Sequence, residues 1–492
     1  MPASSTSFGS LYFGEAGAEV EAEKYPELFK NSFYDLAGVV AKVNDGDAFL
    51  LIGPKGAGKS SYIEYVQLMS TDSVGQFVTK KDLGELRGAL QSDSTLSRAG
   101  SEITELAWST WLWIQLFDSV MKDQSSSCHR DPSIAGLHRE LRSAGLLSGD
   151  FRSVVQAVRK KQHKFSAPKF YEYTSESSGE TRVNISQLRD ILEVVVTQAE
   201  TSNQHMLALD GLDSAIIGST SYWQQLAALL RACTVVHRKV RSAQSHIRVV
   251  MLCRSDVLLK IPLPDSNKIR QGWGLEFDWS YGLDTPEDSH LWDLVEKKAS
   301  ARGRPIANLI DTYFPQDMEV GGRTHLRRIP MPRYLMELTR GTPRDMIMLL
   351  KKIQQQAPNV TELSVRHVRA GVNAYCKDYF AGEVANELVG LVPDAIASGA
   401  VGALSRLPSR RFTRGEFLDV FRDLLTANEV SADELLQQLY LAGAVANVIP
   451  GQREDYVRFY HRRSHADVSL QGPFLLHTAL TISLNLPFGA RL

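Results

Sequence analysis

A glycine-rich loop between an apolar run and a helix-like run limits the fold of this chain more than any other feature. Residues 49–52 read Phe-Leu-Leu-Ile, and residues 53–60 read Gly-Pro-Lys-Gly-Ala-Gly-Lys-Ser. The pattern G-x-x-x-x-G-K-S, with a strand before it and a helix after it, is a phosphate-binding loop in its required context. A glycine turn that carries a lysine by chance would not also fill every fixed position and both flanks. The loop therefore predicts a site for a nucleoside triphosphate.

The residues of this loop have defined expected contacts. Glycines let the backbone curl until successive N–H groups converge on phosphate oxygens, and the positive end of the next helix strengthens the field. Lys59 is expected to reach the β- and γ-phosphates of ATP, and the Ser60 hydroxyl is expected to ligate Mg²⁺. The predicted cofactor-binding residues are Gly53, Pro54, Lys55, Gly56, Ala57, Gly58, Lys59, Ser60 and Ser61.

Length and composition exclude several classes of protein. The 492 residues suffice for about three domains, each with its own core. A net charge of −1 provides no global field that would attract nucleic acid or membrane. The four cysteines have no paired spacing, which favours reduced thiols over disulfides or a zinc site. Because the chain has no signal-like start and no apolar run of ~18 residues, we expect a cytoplasmic protein without membrane association.

Apolar strands alternate with helical stretches up to about residue 285. Strands are predicted at 49–53, 74–78, 205–210 and 246–253, and near-continuous apolar strands of this kind indicate a parallel sheet covered on both faces. Residues 102–200 are largely helical in pattern, with a polar surface loop expected at 170–182. In the helical stretch, Trp108, Trp111 and Trp113 favour a buried helix over a stacking platform.

The second half of the chain is mostly helical in pattern. Residues 286–385 predict a helical lid, and Pro393 with the Gly/Ala-rich stretch after it marks a boundary. The last hundred residues predict helices followed by a hairpin, which suggests a winged helix. The predicted domains are an N-terminal segment at 1–45, a core at 46–285, the lid at 286–385 and a winged-helix-like domain at 386–492.

Two aspartates follow the third predicted strand. Asp210 ends the apolar run and fits the acid that holds Mg²⁺ together with Ser60, although a lone aspartate there could also be a helix cap. Many such ATPases place a glutamate directly after this aspartate, where this chain has Gly211. Asp213 could polarise the attacking water from a shifted position, or it could be a turn residue. Both alternatives stay open, so we expect binding with slow hydrolysis.

Two arginines are candidate readers of the γ-phosphate. Arg254 follows the fourth strand, where a guanidinium can make bidentate contacts to phosphate, but an ion pair with Asp256 would explain it equally well. Arg344 begins a helix after Gly-Thr-Pro on the predicted lid, where it could couple nucleotide state to lid position. The alternative is a solvated arginine paired with Asp345.

These motifs together resemble one lineage of ATPases. The loop at 53–60, the aspartates at 207–213, the strand end at 254–256 and the segment 341–345 occur in the order of the AAA+/STAND branch, which includes origin-recognition-like initiators and NACHT-type signalling ATPases. Within that branch, the chain is most similar to a group of bacterial P-loop ATPases over residues 10–385. Further similarities are Phe13-Gly14, Ala18-Glu19-Val20-Glu21, Asn267-Lys268, Asp278-Trp279 and Tyr375-Cys376-Lys377-Asp378-Tyr379. The chain departs from signalling relatives at Ser214, which replaces an acid, and by lacking an appended repeat array.

The resemblance implies an α/β fold: a P-loop NTPase, AAA+-like, with a parallel sheet core, a helical insertion, an α-helical lid and a C-terminal winged-helix domain. It also implies ATP-dependent assembly into a homo-oligomer or an effector-protein complex, and a context of antiphage defence or stress. An interfacial arginine finger would be expected, with Arg231, Arg238 and Arg241 as candidates, and a solvated surface arginine is the alternative for each of them. The leading hypothesis is an ATP-hydrolysing molecular switch.

A DNA-binding initiator or loader is the alternative function. Two basic clusters in the last hundred residues could neutralise phosphates, or could be solvated faces or a protein-docking surface. They comprise Arg406, Arg410, Arg411 and Arg414, and then Arg458, His461, Arg462 and Arg463. The helix-like stretch 431–440 carries acids where base-reading residues would be needed, which disfavours sequence-specific recognition.

Overall fold

The computed structural model describes most of the chain. The described residues are 6–72, 75–84, 101–148, 151–160, 165–166, 168, 182–211, 220–279, 285, 288–303, 305–320, 327–451, 455–462 and 467–487. Strands, in chain order, are β1 Leu50–Gly53, β2 Gln76–Asp82, β3 Phe165–Ser166, β4 Arg182–Val183, β5 Gln204–Asp210, β6 Ile247–Arg254, β7 Gly274–Glu276, β8 Asp317–Val320, β9 Arg327–Pro330, β10 Arg411–Phe412, β11 Val445–Ile449, β12 Tyr456–Arg458 and β13 Phe474–Leu476.

Helices account for most of the other described residues. The first ten are α1 Ala18–Lys24, α2 Pro26–Ser32, α3 Val39–Asn44, α4 Lys59–Asp72, α5 Ser101–Lys122, α6 Ser127–Arg130, α7 Pro132–Ser143, α8 Phe151–Lys160, α9 Ile185–Thr197 and α10 Thr220–Ser242. They are followed by α11 Ser255–Lys260, α12 Ser266–Trp273, α13 His290–Ser300, α14 Leu309–Tyr313, α15 Met331–Met336, α16 Pro343–Gln356, α17 Val365–Tyr375, α18 Ala381–Leu388, α19 Asp394–Leu404, α20 Arg414–Asn428, α21 Ala432–Leu441 and α22 Thr478–Ser483.

The centre of the fold is a five-stranded sheet in the order β2-β5-β6-β1-β7, and every neighbouring pair in it is parallel. The predicted α/β class with a parallel sheet is confirmed. The sequence placed the second strand at 74–78, but β2 continues to Asp82, and residue 74 lies outside the described residues. It did not predict β7, whose three residues are too few to form a recognisable apolar run.

Separate sets of helices cover the two faces of the sheet. Because side chains alternate along a strand, Leu207 and Leu209 of β5 face one core, and Met206 and Ala208 face the other. The first core contains α5, α7, α8, α9 and α10, and the second contains the N-terminal segment and the elements after β7. Trp108, Trp111 and Trp113 are buried in the first core, which confirms the buried-helix interpretation. The described part of 102–200 is largely helical, as predicted, and most of the loop at 170–182 lies outside the described residues.

The described part of 286–385 is mostly helical, but it also contains the antiparallel hairpin β8–β9, which the sequence did not predict. Its longest helix, α16, begins where Thr342 accepts a hydrogen bond from the Asp345 N–H and where Pro343 occupies the first turn. A π-helical segment, Cys376–Phe380, joins α17 to α18. The predicted domain boundary between 385 and 386 falls inside α18.

A C-terminal unit, residues 394–487, follows α18. Its antiparallel sheet has the order β10-β13-β11-β12, and α19, α20 and α21 precede the hairpin β11–β12. Phe380 stacks on His477 at 4.5 Å between ring centroids, and the His477 imidazole lies 3.3 Å from the Thr339 carbonyl. The unit therefore packs directly on the lid. Among the described residues, none of the helices combines the length and the apolar character that crossing a bilayer requires.

Candidate functional site

The loop 53–60 has the curled backbone that its glycines predict. Gly56 and Gly58 have φ values of +77° and +94°, which side chains rarely permit. Lys59 folds back along the loop, and its Nζ donates to the carbonyl oxygens of Gly53 at 2.9 Å and Pro54 at 3.0 Å. The Trp279 indole N–H donates to the Ala57 carbonyl at 2.9 Å and holds the outside of the loop. The Trp279 and Lys59 side chains therefore both hold the loop in its curled conformation.

Ser60 and Asp210 meet across the sheet edge. The Ser60 hydroxyl, at the start of α4, donates to Asp210 Oδ2 at 3.0 Å, and Asp210 ends β5. The other Asp210 oxygen accepts the Gly211 N–H at 2.8 Å. The structure thus brings together the two predicted Mg²⁺ ligands, which are 150 residues apart in the sequence. Asp213 lies outside the described residues.

Two charged residues of β2 enter the same site, and sequence reasoning missed both. β2 pairs with β5 in a register that sets Lys80 beside Ala208 and Asp82 beside Asp210. Lys80 Nζ lies 2.7 Å from Glu64, 3.3 Å from Glu19 and 3.7 Å from Asp210. Burial alone would lower the pKa of Lys80, but these carboxylates raise it above the ordinary lysine value. The sequence did contain a signal for them. If the predicted strand had been extended to Asp82, both residues would have lain at the carboxyl end of a parallel strand, where ligands bind.

A cavity of about 510 Å³ opens between the loop, the N-terminal segment and the lid. Glu15, Ala16, Phe33 and Tyr34 line it on the N-terminal side. Glu21 and Lys298 line the same side, where Glu21 accepts a hydrogen bond from Tyr12 at 2.6 Å and pairs with Lys298 at 2.5 Å. Sequence reasoning assigned no functional role to these residues. Motif reasoning could not have identified them, because these residues converge only through packing.

Arg344 is the lid residue nearest the loop. Its backbone N–H donates to the Gly56 carbonyl at 3.3 Å, and its guanidinium Nε donates to the Ala16 carbonyl at 2.8 Å. It lines the cavity and lies 3.9 Å from Glu383 of α18. The alternative pairing with Asp345 is wrong, because Asp345 is bound by the buried Arg340. A reader role for Arg344 stays a prediction.

Arg254 occupies a different position from the one expected of a γ-phosphate reader. Its guanidinium pairs with Asp256 through two bonds of 2.9 and 2.8 Å and with Glu387 at 2.8 Å. It is buried, and it lines a second cavity of about 110 Å³ rather than the cavity at the loop. Burial alone would raise the pKa of Asp256, but the Arg254 charge lowers it. The ion-pair alternative is thus present, and a reader role would require these contacts to open.

The candidate arginine fingers lie on α10. Arg231 lies 3.7 Å from Glu105, and Arg241 pairs with Asp47 at 3.0 Å. Arg238 is exposed, and within the described part of the chain it has no ion pair. A finger role for any of the three stays a prediction.

Most of the C-terminal basic residues contact other groups of the same chain. Arg411 pairs with Asp455 and Arg414 with Asp433, each at 2.6 Å, while the buried Arg410 donates to the Leu476 carbonyl. Arg406 and Arg458 also donate to carbonyl oxygens, and His461 lines the second cavity. The side chains of Arg462 and Arg463 lie outside the described residues.

The donor set fits a nucleotide with Mg²⁺. An added Cβ at Gly58 would meet no atom within 4 Å, so the loop is open on that side. A serine hydroxyl and a carboxylate 3.0 Å apart offer the hard oxygen ligands that Mg²⁺ prefers. Lys59, Lys80 and Arg344 supply positive charge around the same cavity. Neither a known family model nor a curated protein matches this chain, so its chemistry has to be argued from these residues.

Proposed function

We propose that this protein is an ATP-binding and slowly ATP-hydrolysing molecular switch of the AAA+/STAND type. The observation that carries the proposal is the contact between Ser60 and Asp210, 3.0 Å apart beside a loop with two left-handed glycines. Together these groups meet the two requirements of phosphoryl transfer, a phosphate cradle and a metal anchor. When bound, Mg²⁺ would neutralise charge on the phosphates. Lys59 would leave the carbonyls of Gly53 and Pro54 and bind phosphate oxygens instead.

Contacts between loop and lid support the switch. Glu383 of α18 lies 3.6 Å from Lys55 of the loop and 3.9 Å from Arg344. A polyphosphate at the loop would compete with Glu383 for both cations, and weakening that contact would alter how α18 sits. The ligand would then bind one arrangement of the lid more tightly than the other. Any ligand-driven switch requires such a difference in affinity. We infer that closure controls self-assembly or binding of an effector protein, with antiphage defence as the context that the resemblance suggests.

We interpret the C-terminal unit as a winged helix, since its order is helix, strand, helix, helix and hairpin. DNA binding by this unit, as in an initiator or loader, has less support. Arg411 and Arg414 pair with acids, and Arg410 is buried, so few free cations face solvent in this cluster. Salt-dependent and ATP-dependent binding in a gel shift would reverse that preference.

The test compares ATP binding by wild type and Lys59→Ala. We expect ATP with Mg²⁺ to raise the melting temperature of the wild type, as any ligand of the native state does, and to leave Lys59→Ala unchanged. Lys42→Ala is the matched control, since Lys42 is an exposed lysine of α3 outside the site. Equal shifts in the wild type and the Lys59 variant would refute the assignment.

Assembly requires a separate measurement. Mass photometry with ADP, ATP and a slowly hydrolysed analogue reports the oligomeric state for each nucleotide. We expect a larger particle with the analogue than with ADP. The same mass under all three conditions would remove self-assembly from the proposal and leave effector binding.

A further inference from the structure

Asp82 lies where a second carboxylate is needed. It ends β2 directly beside Asp210, and both line the cavity with Lys59 and Ser60. Asp82 is exposed, and among the described residues no lysine or arginine forms an ion pair with it. Its Oδ1 accepts the Gly84 N–H at 2.7 Å, which holds the carboxylate at the strand end. Among the described residues, no hydrogen-bond donor contacts its second carboxylate oxygen.

The Asp82 carboxylate lies where a side chain at position 211 would lie. A Cβ at position 211 would lie 1.9 Å from Asp82 Oδ1 and 2.9 Å from the Gly84 nitrogen. Gly211 also has a φ of +83°, which disfavours any side chain. A glutamate at 211 therefore could not coexist with Asp82 in this position. In this chain β2 therefore supplies, through Asp82, the carboxylate that position 211 cannot supply.

We propose that Asp82 is the catalytic carboxylate that orients and deprotonates the attacking water. This inference rests on the proposed ATPase function. The water oxygen forms a bond to the γ-phosphorus, and the bond from that phosphorus to the β–γ bridging oxygen breaks, its electron pair leaving with ADP. The water proton passes to Asp82 and then to solvent, so that ADP and inorganic phosphate are the products. Asp210, together with Ser60, would hold Mg²⁺.

The first experiment uses Asp82→Asn in the full chain. Asparagine keeps an oxygen that can accept the Gly84 N–H, so the strand end should fold as before. We expect a loss of single-turnover hydrolysis of about 100-fold or more, as removal of a general base gives. ATP should still raise the melting temperature, and the nucleotide recovered from the protein after incubation should be ATP rather than ADP. Asp419→Asn, on the exposed face of α20, is the control.

A second pair of variants tests the geometry. In Gly211→Ala, the new Cβ would push Asp82 away, so we expect slow hydrolysis with ATP binding retained. Gly145→Ala imposes similar backbone strain, with a φ of +74° and no atom within 4 Å of the Cβ, and should hydrolyse normally. The inference is overturned if Asp82→Asn hydrolyses ATP at the wild-type rate, and a slow Asp213→Asn would then assign the base to Asp213. A wild type that neither binds nor hydrolyses ATP would instead overturn the proposed function, and this inference with it.

Discussion

The two left-handed glycines of the loop 53–60 meet different surroundings. Gly58 faces open space, whereas a Cβ at Gly56 would lie 2.9 Å from the Cβ of Arg344. Gly58 is therefore needed for backbone conformation alone. Gly56 is also needed so that the lid can approach the loop and place the Arg344 N–H on the Gly56 carbonyl.

Alanine substitutions separate these two needs. Gly58→Ala should lower the free energy of unfolding by about 1 kcal/mol, the cost of a left-handed side chain. Gly56→Ala has the same backbone cost and must also displace Arg344, so we expect a clearly larger loss in chemical denaturation. Equal losses in the two variants would show that the lid does not press on the loop.

At this scale, the sequence identified candidate residues where the pattern is local and missed those whose place depends on strand register. Lys59 and Ser60 belong to one continuous motif, and Asp210 ends a recognisable apolar run, so all three could be predicted. Asp82 acquires its place only because β2 pairs with β5 and reaches that position. Arg254 lies at a strand end as expected. Its partner Glu387 is far away in the sequence, so no local pattern reveals the pair.

At the scale of elements, a buried aspartate joins the end of α5 to the start of β5. Asp123 accepts hydrogen bonds from Thr201 at 2.5 Å, Asn203 at 2.9 Å and the Ser125 N–H at 2.9 Å, and His205 lies at 3.3 Å. Burial alone would raise the pKa of Asp123, but these donors hold it well below its usual range. The ionised Asp123 side chain thus links the end of α5, in the helical insertion, to the start of β5 in the sheet.

Asp123→Asn should lower the free energy of unfolding by about 1–3 kcal/mol, because an amide cannot accept from all of these donors. Since the folded pKa is lowered, the stabilisation is present above the ordinary value of 3.8 and is lost as the pH falls below it. Denaturant titrations should therefore show a wild-type advantage at pH 7 that shrinks below pH 3.8. Asp190→Asn, an exposed change on α9, should have little effect. An advantage that persists undiminished in acid would contradict the ionised state.

Elements were predicted well where a long apolar pattern identifies them. The strands β1, β5 and β6 have largely apolar runs because both faces of a parallel sheet are buried, and α5 has apolar residues at helical spacing. β2 was predicted to end early because Lys80 and Asp82 interrupt its apolar pattern, although they face a charged cavity rather than solvent alone. β7 and the hairpin β8–β9 are too short for periodicity to detect, and tertiary pairing forms them.

At the scale of the whole molecule, α18 connects the loop 53–60 to the rest of the chain. Glu383 faces Lys55 and Arg344, and one turn later Glu387 pairs with Arg254 at 2.8 Å and contacts Arg340 at 3.4 Å. The same helix therefore contacts the loop, the end of β6 and the residues around the start of α16. An added Cβ at Gly443 of the C-terminal unit would lie 3.2 Å from the Arg340 side chain, so this unit packs on the same group.

Removing Glu387 tests whether its ion pairs with Arg254 and Arg340 hold α18 against β6 and the start of α16. Glu387→Ala removes a carboxylate from two buried guanidinium groups and leaves, among the described residues, Asp256 for Arg254 and Asp345 for Arg340. Breaking a buried pair in this way should lower the free energy of unfolding by about 3–5 kcal/mol. Denaturant unfolding followed by fluorescence, with limited proteolysis of the C-terminal unit, measures the effect.

Glu337→Ala is the matched control, because it breaks an exposed pair with Arg333 at 3.0 Å and should cost no more than about 0.5 kcal/mol. If α18 transmits the state of the loop, Glu387→Ala should also make proteolysis of the C-terminal unit insensitive to ATP, while ATP still raises the melting temperature. A variant that loses stability but keeps an ATP-dependent cleavage pattern would leave Glu387 a structural residue, and coupling would then have to pass through Arg344 and the lid helix α16.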